Sequence, residues 1–161
     1  MKKVNQQGVI FTSLILLCTV LFSFTFKTAE TIFGGEGFEV YLNNKLVLQQ
    51  FGKEMNTVKT VQLDQRASNG ELAIRYFHCG QPGKSRLVTI KDEQGVVLKQ
   101  WKFGDTKDAS SKLCCNLKDI VSLPKIKAGK KVNLYYSSTE LPNGRLLAIL
   151  STVNKNNTAQ P

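Results

Sequence analysis

The chain has 161 residues, 42% of them hydrophobic, with 22 basic and 12 acidic side chains and a formal net charge of +10. That leaves room for one targeting segment and one domain of about 120 residues with a packed core. A basic surface favours anionic surroundings, but no RRM, KH or zinc-finger signature accompanies the charge, so nucleic acid is not an expected partner.

At the amino end, Lys2 and Lys3 precede residues 8–26, GVIFTSLILLCTVLFSFTF, nineteen residues without a charge. A basic start ahead of an apolar run is an export signal. The run exceeds the roughly 7–15 residues of a signal-peptide core and reaches the roughly 18 that span a bilayer. No good small-x-small cleavage site follows it, and Leu17 stands before Cys18 where lipidation wants a small residue. Residues 1–27 are therefore expected to form one hydrophobic helix, a signal peptide or an uncleaved anchor, with the following domain periplasmic or extracellular. Without Lys2, Lys3 and Lys27, 19 basic residues remain against 12 acidic, or +7.

Residues 28–37, rich in glycine, read as a linker, and residues 38–153 as the domain. Residues 38–42 alternate, Asn43 and Asn44 form a hairpin-turn signal, and residues 45–49 return. Short strand patterns follow at 58–63 and 71–79. Residues 86–91 and 96–103 flank a turn at Asp92 to Gly95, with glycine at the left-handed position. Residues 113–123 fit either a strand or a short helix. The run 131–137 is expected to turn at Pro142, Asn143 and Gly144 into 145–153, a central strand, and residues 154–161 form a polar, disordered tail. About seven to nine short strands spaced by turn signals predict an all-β fold, an antiparallel β-sandwich of immunoglobulin-like or jelly-roll style.

The single histidine lies in RYFHCG at 75–80, and two adjacent cysteines lie in LCCNL at 113–117. Three cysteines in an exported domain predict one disulfide and one leftover thiol. Cys114 and Cys115 are too close in sequence to pair with each other. Strand alternation puts Cys79 and Cys114 on the less apolar faces, so that pair is the expected bridge. It would close a loop of about 35 residues, for about 4 kcal/mol in the chain-entropy account. Cys115 then becomes a buried thiol, and His78 a core residue beside Leu72, Ile74 and Tyr76. A copper or zinc site, or a thiol-redox centre, would draw on His78, Cys79, Cys114 and Cys115, but alternation splits each adjacent pair across two faces.

No G-x-S-x-G, H-E-x-x-H, P-loop or G-x-G-x-x-G motif is present, and Asp92 with Glu93 reads as a pair of solvated turn carboxylates. Trp101, with Val97 and Phe103 on one strand face, reads as core, and Tyr41 as exposed. Both are candidates for stacking on sugars. Lys125, Lys127, Lys130 and Lys131 read as a solvated loop around Gly129. The expected function is a non-catalytic, exported binding or structural module of the cell envelope. It needs no cofactor, and its partners are the membrane through the amino-terminal segment and an envelope protein or anionic glycan. The alternatives are a metal or thiol-redox protein and a carbohydrate-binding module.

Overall fold

A computed structural model of the chain describes residues 35–64, 69–109 and 111–153. The expected hydrophobic helix at 8–26, most of the linker and the tail at 154–161 lie outside the described residues. Among the described residues no helix is long and apolar enough to cross a membrane.

In chain order, β1 is Gly37–Leu42, β2 Lys45–Phe51, β3 Lys59–Asp64, β4 Glu71–Phe77, β5 Arg86–Lys91 and β6 Val97–Phe103. After β7, Leu113–Asn116, come the short helices α1, Leu117–Val121, and α2, Pro124–Lys127, then β8, Val132–Ser138, and β9, Leu141–Val153. A single 3-10 turn, Gly52–Asn56, links β2 to β3. The strands form two sheets, β2-β1-β4-β7 and β3-β9-β8-β5-β6.

Alternation explains the sandwich. On β8, Val132, Leu134, Tyr136 and Ser138 are buried while the residues between them are only half-buried. On β4, Leu72, Ile74 and Tyr76 point the same way into one core shared with β8 and β9. Asn43 and Asn44, with φ of 51° and 64°, supply the left-handed pair that a two-residue hairpin needs between β1 and β2.

Four details depart from the sequence reading. The second sheet is mixed, because β3 runs parallel to β9 with Lys59 opposite Ala148; such a pairing joins distant segments and leaves no local signature. The turn into β9 falls at Thr139 and Glu140, and Ser138 pairs with Leu141, so Pro142 to Gly144 lie within a bulged strand. The ambiguous 113–123 is both things in turn: β7 ends at Asn116, whose side chain caps α1 by accepting the Lys118 amide at 2.9 Å. Finally, a register shift between Ile90 and Lys91 places Lys99 opposite Ile90 and Val97 opposite Lys91. This bulge turns Val97 out of the core, to 52% exposure, rather than leaving it with Trp101 and Phe103.

Strand direction defines two ends. Glu36, the turn after β4 and the β8–β9 turn gather at one end, where His78 meets Tyr136. At the other end lie the β5–β6 turn and the α1–α2 pair. There Leu117, Ile120, Val121 and Ile126 are buried and close the core.

Candidate functional site

At the first end the two sheets are joined by side chains. Tyr76 and Tyr136 stack across the core with ring centroids 4.4 Å apart and planes 12° from parallel. His78 Nε2 lies 2.8 Å from the Tyr136 hydroxyl and 3.3 Å from Ser138 Oγ. Tyr76 donates its hydroxyl proton to Glu36 and accepts from Arg145 Nε at 3.0 Å, while Arg145 also pairs with Glu36 at 3.3 Å. Burial pulls the His78 pKa below its ordinary value. The nearby carboxylates of Glu140 and Glu36 oppose this, and Arg86 adds to it. Gly83 seals the cluster, since a Cβ there would stand 2.6 Å from the Tyr136 hydroxyl and 2.8 Å from His78 Nε2.

A histidine touching a serine hydroxyl is the start of nucleophilic chemistry. Here Nε2 is shared with a buried tyrosine and Ser138 is only 5% exposed. The carboxylate of Glu140 accepts the Lys84 amide at 3.0 Å. The arrangement cross-links two sheets and presents no open nucleophile.

The cysteines do not form the expected bridge. Cys79, Cys114 and Cys115 are all free, the first two exposed and the third buried. The register gives the reason: Cys114 lies opposite Ala73, whereas Cys79 sits beyond the end of β4 with φ of 51°. The four strand steps from Ala73 to Phe77 alone cover roughly 13 Å at about 3.3 Å per residue, and Cys79 lies two residues further on. A disulfide tolerates a Cα separation of only about 4.4–6.8 Å. Cys115 faces inward opposite Leu72, and burial, with smaller contributions from Cys114, Glu71 and Asp119, pushes its thiol up to about 12. The same separation keeps His78 and Cys79 away from Cys114 and Cys115. Among the described residues no three His, Cys, Asp or Glu side chains converge as a metal site would require.

The two aromatic candidates are both covered by cations. Tyr41 is half-buried: it donates to Glu39 at 2.6 Å, accepts from Arg75 at 3.0 Å, and carries the Lys112 ammonium 3.8 Å above its ring. Trp101 packs half-buried against the core with Lys99 5.7 Å from its ring centre. Around Tyr41 lies an ion pair that sequence reasoning missed. Glu39 is 6% exposed on the outer face of its sheet and is held by Arg75 from the opposite position on β4. Equal parity would have put both residues outward, but only the β1–β4 register puts them face to face.

The second end is different. Asp92 is buried rather than solvated: its carboxylate accepts the Gln94 and Val96 amides at 3.0 and 2.9 Å and pairs with Lys125 at 3.5 Å. Burial works against its charge, but the two amides and Lys125 outweigh that and hold its pKa below the usual carboxylate range. Residues 91–99 and 117–131 carry seven lysines against three acids, +4 of the chain's +10 within 24 residues. Lys99 pairs with Asp119 at 3.4 Å, linking β6 to α1. Lys118, Lys130 and Lys131 are exposed and make no ion pair with any described residue. The run around Gly129, scattered in sequence from Lys91 and Lys118, thus belongs to one basic end. No family model matches the chain, and no curated protein matches its sequence.

Proposed function

We propose that this chain is a non-catalytic binding module of the cell envelope. It would be exported by a hydrophobic helix at residues 8–26 and built as a sandwich in the general manner of immunoglobulin-like and jelly-roll modules. Its partner is an anionic component of that envelope, met by the lysine-rich end.

The observation that carries this reading is the contrast in how charge is used. At the first end the groups clustered around His78 (Tyr76, Tyr136, Ser138, Glu36 and Arg145) are engaged with one another, so that cluster has little left for a ligand. At the second, several lysines project from a scaffold of two short helices and a tight turn, and concentrated like charge of this kind attracts polyanions. The test is charge reversal. Retention on an anionic matrix should fall, and lose its salt dependence, in Lys118→Glu/Lys130→Glu/Lys131→Glu. A triple variant retained like the wild type would refute the reading.

A further inference from the structure

The lysine-rich end also carries the two most exposed large apolar side chains among the described residues, Val96 at 57% and Val97 at 52%. Val96 directly follows the Asp92–Gly95 turn and Val97 opens β6. The bulge opposite Lys91 explains why Val97 is not in the core, and Gly95, with φ of 84°, lets the turn project. A polar turn residue would suit a hairpin tip that only faces water. Two adjacent valines there expose apolar area that folding leaves unused.

The valines and the lysines belong to one surface. The Val96 amide donates to the Asp92 carboxylate, which pairs with Lys125, whose carbonyl in turn accepts the Lys130 amide at 2.9 Å. Val97 lies opposite Lys91, and Lys99, two residues further on, reaches α1 through Asp119. Against this stands Glu93, exposed in the same turn, which lowers the local excess of positive charge without reversing it.

We propose that this end docks on an anionic phospholipid bilayer, with Val96 and Val97 entering the headgroup boundary and the surrounding lysines lying over the phosphates. The proposal rests on the reading above of an anionic partner and names that partner. Charge alone would serve a soluble polyanion equally well. A protruding apolar pair ringed by ammonium groups is what a lipid surface uses, because binding there adds buried apolar area to electrostatic attraction. The lysines' own methylene stems reinforce this, since they lie along the boundary while the ammonium groups stay hydrated.

The test uses the segment from Phe33 onward, which is a separate compact unit and contains the whole core cluster, so that the apolar run at 8–26 does not dominate partition. Sedimentation with phosphatidylglycerol-containing vesicles is compared with pure phosphatidylcholine vesicles and with a soluble polyphosphate. The expected result is binding to the anionic vesicles, weakened about fivefold for each of Lys130→Gln and Lys131→Gln. Val96→Ser/Val97→Ser should weaken it about tenfold or more. Because these serines change no charge, polyphosphate binding should stay as it was.

Val58→Ser, which removes an exposed apolar side chain just ahead of β3, is the control and should bind as the wild type does. Equal loss in that control, or an unchanged affinity in the double valine variant, would overturn the bilayer proposal. Polyphosphate binding without vesicle binding would do the same while leaving the anionic-partner reading standing. Binding to neither would remove both. Circular dichroism and a urea midpoint on each variant separate loss of binding from loss of fold.

Discussion

The two ends of the sandwich use similar residue types to opposite effect. At the His78 end, an imidazole, two tyrosine hydroxyls, a carboxylate and a guanidinium satisfy one another across the gap between the sheets. At the lysine end, one buried carboxylate organises a turn, and several ammonium groups face outward with nothing described to neutralise them. Polarity that is satisfied internally holds the sheets together, whereas polarity left over is free to meet a partner. The more chemically suggestive end, with the only histidine, works as a clamp. The end that reads as a bland solvated loop has charge to offer.

The largest expected effect that separates the ends is Tyr136→Ala. It removes the ring stacked on Tyr76 and leaves His78 without its nearer partner. It should destabilise the domain by about 3–5 kcal/mol in urea unfolding, and a loss under about 1 kcal/mol would deny the clamp. Gly83→Ala comes next. Its Cβ would meet the Tyr136 hydroxyl and His78 ring, and crowding a packed site of this kind costs about 1–3 kcal/mol.

A pH dependence follows from His78. Burial lowers its pKa in the folded state, so the unfolded chain takes up the proton first, near about pH 6.5. Stability from this group is then full above that pH and is lost progressively as the pH falls below it. Unfolding midpoints between pH 8 and 5 should show the decline, and His78→Gln should flatten it. The smallest effect belongs to the other end: Lys130→Glu or Lys131→Glu should change stability by no more than about 0.5 kcal/mol.

Local pattern and long-range register explain what could be read in advance. Alternation along 71–77 and 132–138 was enough to put Tyr76 and Tyr136 inside, and Cys115 rather than Cys114 in the core. The Asp92–Gly95 turn was likewise legible from its glycine. The pairing of β3 with β9 and the distance between Cys79 and Cys114 depend on which strands are neighbours, and sequence alternation carries no such information. The bulge that exposes Val97 is a one-residue shift relative to β5, which is invisible from β6 alone. The basic end was hidden because its lysines come from β5, β6, α1, α2 and the loop after α2, segments that meet only in the folded sandwich.

The lysine end, and not the histidine end, is the proposed binding surface. Amide chemical-shift mapping of the domain during titration with a short polyphosphate tests it most directly. Salt-sensitive shifts should be confined to residues 91–99 and 117–131, with 78–85 unmoved. Shifts centred on His78 and Gly83, or none at all, would contradict it.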